Sequence, residues 1–216
     1  MKWAAALWLM FGLPGMPLAQ APAQPYQVSV WARVLFGPDG RAQEITMVEE
    51  PGLTPPFLQA ARTRLERARI EPRTLAGQAV SFRTGVRMAF EVAPEPESGS
   101  VRLQTLEMQP LPLKRAYARY PQDIAQSEGW TGVLVGTCTV ARDGRCGAVA
   151  VWSALVMPET ARRFVRDSLE LWRFEPQELA GQPIVSEFST EFLLKAELGA
   201  PEDFRQDKFE RITKGR

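Results

Sequence analysis

The residues able to do chemistry in this chain are few. It contains no histidine, so Ser-His-Asp and Cys-His catalysis, HExxH metal sites and His-ligated zinc or haem are excluded. Its two cysteines, Cys138 and Cys146, cannot alone build a Cys-only zinc site or an iron–sulfur cluster. Ser153 and Ser189 have no histidine to activate them, and neither sits in a G-x-S-x-G elbow. Glu49 and Glu50 are neighbours on an expected strand, where side chains alternate faces, so they read as solvated rather than as an acid/base pair. Lys+Arg number 26 against Asp+Glu 25, which gives no field to gather nucleic acid. The expectation is a non-enzyme with no cofactor, no metal and no nucleic-acid partner. At 216 residues, 45% hydrophobic and 24% charged, the chain suits one ordinary domain or two small ones.

Compartment decides what the cysteines do. Lys2 precedes an apolar run from Trp3 to Leu13, followed by Pro14, Gly15, Pro17 and Ala19. A positive start, a short apolar core and a small-residue exit describe a secretory signal peptide over 1–19, and the run is shorter than the roughly 20 residues that span a bilayer. Periplasmic export is therefore the expectation, with inner-membrane anchoring through residues 3–19 as the alternative. In an oxidising compartment Cys138 and Cys146, on either side of the turn Arg142-Asp143-Gly144-Arg145, are placed to bridge a hairpin; two buried free thiols are the other reading.

The scaffold under these residues repeats once. At an offset of 104, Asp39-Gly40-Arg41 falls on Asp143-Gly144-Arg145 and Leu65-Glu66 on Leu169-Glu170. Arg69, Glu71 and Pro72 fall on Arg173, Glu175 and Pro176, and Leu75-Ala76-Gly77-Gln78 on Leu179-Ala180-Gly181-Gln182. Such matches, gathered at turns and helix ends, indicate an internal duplication. Each copy reads as a strand, an Asp-Gly turn, a second strand, a helix and a third strand. In the first copy Thr54 is the expected helix cap and Pro55 the first helical residue. Ala61, Leu65 and Ala68 give one apolar helix face, repeated by Val165, Leu169 and Trp172, and Glu-Pro is expected to end each helix. In the last strand, Val185 to Leu194, Ile184, Phe188, Phe192 and Leu194 share one face and Glu187 and Glu191 the other.

The expected fold is α+β: two tandem β-β-α-β domains, each a three-stranded antiparallel sheet with a helix on one face. The boundaries are 26–92 for the first domain and 113–198 for the second, which carries an extra short helix from about Pro121 to Ser127. A Pro-Glu linker occupies 93–112, where Val101 to Met108 adds one strand to either sheet, and a charged tail 199–216 follows.

Several motifs of the second copy carry a resemblance: Tyr120-Pro121, Glu128-Gly129, Gly132, Asp143-Gly144-Arg145, Ser153, Trp172-Arg173-Phe174-Glu175-Pro176 and Gly181-Gln182-Pro183. In order and spacing they resemble the C-terminal domain of TonB. The first copy resembles it in degenerate form, with Ala68-Arg69-Ile70 in place of Trp-Arg-Phe and no Tyr-Pro helix. The resemblance implies that the edge of the last strand takes an extended partner segment as an added strand. Val185, Glu187, Ser189 and Glu191 would form that edge, on a core supported by Trp172, Phe174 and Pro176. The implied partner is a cell-envelope protein or peptide, such as an outer-membrane TonB-dependent receptor, in transport across the envelope. Force transmission in that family depends on a membrane anchor and a long Pro-rich spacer, and the sequence is not expected to supply the pair, since its Pro-Glu stretch is only a short linker.

Two readings of function follow. One is an exported interaction module that accepts an extended peptide; the other is a structural envelope protein whose sheet edges cap one another. In the first, the second copy is the binding half, because Gly85 interrupts the first copy's last strand. Whether the last strand's edge is free decides between them.

Overall fold

A computed structural model describes residues 26–49, 52–93, 100–127 and 130–196. The leader, Glu50, the Pro-Glu stretch from 94 to 99, Glu128-Gly129 and the charged tail lie outside the described residues. The first half runs β1 (Tyr26–Phe36), β2 (Ala42–Met47), α1 (Pro55–Arg67), β3 (Arg73–Leu75), β4 (Gln78–Val80) and β5 (Phe82–Ala93). Then β6 (Ser100–Gln109) and β7 (Leu111–Lys114) cross to the second half. That half runs α2 (Gln122–Ala125), β8 (Thr131–Val140), β9 (Cys146–Trp152), α3 (Glu159–Leu171), β10 (Arg173–Glu175), β11 (Glu178–Leu179), β12 (Gln182–Pro183) and β13 (Ser186–Lys195). The fold is mixed α+β, and its strands pair antiparallel.

Each half builds around its Asp-Gly turn in the same way. The Asp39 and Asp143 carboxylates accept from the Arg41 and Arg145 backbone N–H groups, both at 3.1 Å. Gly40 and Gly144 both have φ of 77°, and a Cβ on either would lie 2.1 Å from a carbonyl oxygen, that of Ile70 or Phe174. Only glycine satisfies both conditions. Ile70 and Phe174 in turn donate their backbone N–H to Gly40 O and Gly144 O at 2.9 Å. This contact is what ends the helices. Ala68 and Trp172 leave helical geometry to reach it, three residues before the Glu-Pro pairs to which the sequence assigned termination. Thr54 does occupy the position before α1, but its side chain makes no capping bond.

Around β1 and β8 the strand orders correspond, β2-β1-β5 in one half and β9-β8-β13 in the other. The expected pair of three-stranded sheets is nevertheless incomplete. The second sheet has three strands, but the first has six, because β6 and the β11–β12 hairpin both join β5. Val101 to Met108 lies in one added strand, β6 on β5, and a further strand, β7, crosses the expected boundary at 112 and pairs with β10.

Two cores result. Val30, Val34, Phe36, Leu65, Val86 and Met88 fill the first, with Ala61 of α1 against the sheet, while Ala68 follows the helix half-buried and outside this cluster. Val165, Leu169, Trp172, Phe174, Phe188 and Phe192 dominate the second. Ile184 departs from the expected face and packs on the first core. Cys138 and Cys146 are joined in a disulfide with Cα atoms 5.7 Å apart. Cys146 lies opposite Val140, two residues from Cys138 on the same buried face, so the bridge runs diagonally across the hairpin.

Candidate functional site

The outer edge of β13 carries the site residues named from the sequence. Val185 falls one residue before the strand; Glu187, Ser189 and Glu191 are exposed on it, while Phe188, Phe192 and Leu194 are buried. On its inner side β13 pairs with β8 along its whole length, from Ser186 opposite Val140 to Lys195 opposite Thr131. No strand among the described residues pairs with its outer side. Backbone groups alternate sides in an antiparallel strand. The Ser189 N–H is directed outward, to Gln109 Oε1 at 3.2 Å, and so is the Lys195 N–H, to Tyr120 Oη at 3.1 Å. By this alternation Glu187, Glu191 and Leu193 also present their N–H and C=O groups outward. Two side chains, Gln109 and Tyr120, thus hold the edge where a strand would otherwise lie.

The counterpart edge, that of β5, is closed. β6 pairs with Gly85 to Ala93 and β11 with Phe82 and Arg83. Gly85 does not interrupt this strand, contrary to the sequence reading. It lies opposite Arg33 on one side and Gln109 on the other, and a Cβ there would come 2.7 Å from Gln109 O and 2.9 Å from Leu111 Cα. Glycine admits the crossing backbone of the connector.

Trp172 and Phe174 are buried, with Pro176 half-buried after them. The Arg173 guanidinium donates to the carbonyls of Glu170 and Trp172 at 3.1 and 2.7 Å, closing the end of α3. Phe188 packs on Phe174 with ring centroids 4.6 Å apart and on Trp172 at 5.8 Å. The Trp172 indole N–H is buried without a hydrogen-bond partner. Ser153 donates to Val133 O at 2.8 Å and accepts from the Leu155 N–H, a turn-holding role.

Sequence reasoning missed the seam between the halves. Trp31 of β1 leaves its own core and stacks on Phe188 at 6.4 Å. Arg33 grips both carboxylate oxygens of Glu175, and this hydrogen-bonded partner raises the Arg33 pKa. Gln177 Nε2 donates to Thr84 Oγ1 at 2.7 Å in a buried contact, and Arg83 pairs with Glu178 at 3.2 Å. Beside β13 the seam opens into a cleft of about 210 Å³ lined by Trp31, Arg87, Trp172, Phe188, Glu191 and Phe192. The Arg115 guanidinium lies 6.0 Å from the Trp31 ring centroid and 5.8 Å from that of Trp172. In sequence, the one signal of the seam was that Trp31 and Arg33 fall on the strand face opposite the Val30-Ala32-Val34 core face.

No protein-family model matches this chain, and no curated protein matches it. No helix among the described residues is long and apolar enough to cross a membrane.

Proposed function

We propose that this chain is an exported, TonB-like interaction module whose second half takes an extended segment of a cell-envelope protein onto the outer edge of β13. The two halves are read as tandem copies of one domain, the second competent to bind and the first a docking partner. The observation that carries this reading is the contrast between equivalent strands: β5 is flanked on both sides, β13 on one. An open edge of regular alternation is what strand addition uses.

The incoming strand would displace one side-chain bond, Gln109 to Ser189, and gain main-chain bonds from Glu187 to Leu193. Lys or Arg opposite Glu187 and Glu191 would be favoured as cross-strand partners. Side chains on its other face would meet the cleft beside Phe192. An outer-membrane receptor segment is one partner of this kind. Energy transduction is not part of the proposal. The structural-protein reading draws on the closed β5 edge, and it accounts for the first half alone.

Photo-crosslinking in the envelope from a probe at Glu191 tests the proposal. Attachment to a discrete partner segment is expected, and Ser189→Pro, which removes an outward N–H and bends the edge, should abolish it while leaving the first half folded. Capture that survives Ser189→Pro, or no capture from Glu191, would remove the binding site from β13.

A further inference from the structure

The chain already contains one example of its own edge being filled. The β11–β12 hairpin lies on the outer edge of β5 at that strand's start, with Leu179 opposite Phe82 and Glu178 opposite Arg83. The Ala180 N–H donates to Ser81 O at 2.9 Å, and Glu178 pairs with Arg83. The repeat supplies an equivalent hairpin in the first half, β3–β4, with the same Leu-Ala-Gly-Gln run. Its turn has the same backbone, Ala76 and Gly77 at φ 50° and 80° against Ala180 and Gly181 at 51° and 75°. Yet among the described residues β3–β4 pairs only with itself, and Leu75 at its tip is 52% exposed. The position equivalent to Ser81-Phe82-Arg83 is Val185-Ser186-Glu187, where the β13 edge begins. There Val185 is 55% exposed and no strand among the described residues lies alongside. Each chain therefore has one hairpin seated on one edge, plus a second hairpin and a second edge of the same design left over.

We propose that the leftover pair meets between molecules: the β3–β4 hairpin of one chain seats on the start of β13 in a second copy. Leu75 lies opposite Ser186 and Thr74 opposite Glu187, and the Ala76 N–H donates to Val185 O. The proposal rests on the outer edge of β13 being the open one. Charge favours it, because Arg69 and Arg73 outnumber Glu71 on the approach to the hairpin and the receiving edge carries Glu187 and Glu191. The contact is weaker than the internal one, since Thr74 cannot reproduce the Glu178–Arg83 ion pair. It is also heterologous, because the two surfaces differ. Each added chain presents a fresh edge, so association runs head to tail rather than stopping at a symmetric dimer.

Thiol trapping reads such a contact even when it is brief. Full-length chains carrying Thr74→Cys and Glu187→Cys are mixed under mild oxidation, matching the register of Glu178 against Arg83. The expected result is a crosslinked pair in the mixture and none with either variant alone, and Leu75→Glu added to the Thr74→Cys chain should lose it. A chain carrying both cysteines should give a ladder of oligomers. Equal crosslinking in the mixture and the single variants, or a pair that survives Leu75→Glu, would overturn the proposal. Attachment of an envelope segment from Glu191 without thiol trapping would refute self-association alone. Failure of both would remove β13 as a docking edge altogether.

Discussion

At the residue scale, the chain holds one disulfide and a set of polar side chains buried between its halves. The absence of histidine and the placing of Cys138 and Cys146 were plain from residue types, and the disulfide is present. Gln109, Thr84 and Gln177 are polar residues, and all three are buried at the seam. No periodicity marks them, because their partners are 25 to 93 residues away in the chain. Tyr117 lines the same seam, half-buried. It packs edge-on to Trp172 at 5.9 Å, and burial pushes its phenol from the usual 10.0 up to about 12, against a small opposing pull from the Arg115 charge. The folded state therefore keeps a proton that the unfolded chain releases. Its stabilising effect is complete below pH 10 and is lost as pH rises through 12. The expected loss is about 2–3 kcal/mol across that window, read from urea unfolding at stepped pH. Tyr117→Phe should flatten this alkaline limb; an unchanged limb would place the titration elsewhere.

At the scale of elements, the repeated parts were legible and the shared parts were not. Both hairpins, both long helices and the last strand follow from the duplicated turns and from apolar spacing that local residues determine. The seating of β11–β12 on β5 is not legible, since two strand residues carry no alternation to read. Gly85 shows the difference. In sequence it looks like a weak point in a strand, and a change there would be expected to leave binding at β13 untouched. In the structure it is where the connector backbone crosses, so a side chain must push Gln109 away from both β5 and Ser189. Gly85→Ala is expected to cost about 1–3 kcal/mol and to free the Ser189 amide, measurable by thermal unfolding and amide exchange. A substitution without effect on either would mean that the crossing is looser than these distances allow.

For the whole molecule, the consequence is two halves that are not independent. The first half lends Trp31 to the second core, and the second half lends β11–β12 to the first sheet. Trp31→Ala should cost about 3–5 kcal/mol and split a single unfolding transition into two, monitored by probes in each half. A single transition retained with little loss would show that the seam contributes little. The matching strand orders of the two halves were readable from the offset, but not their asymmetry, because which edge a connector covers depends on where the chain crosses. That asymmetry carries the functional reading, and residue-resolved amide exchange tests it most directly. Glu191 and Leu193 of β13 should exchange orders of magnitude faster than Arg87 and Ala89, which stand 104 residues earlier on the doubly flanked β5, while Ser189 is slowed by Gln109 until Gln109→Ala releases it. Equal protection at the two sets of amides would mean that the edge of β13 is covered, and the account of it as the docking edge would be wrong.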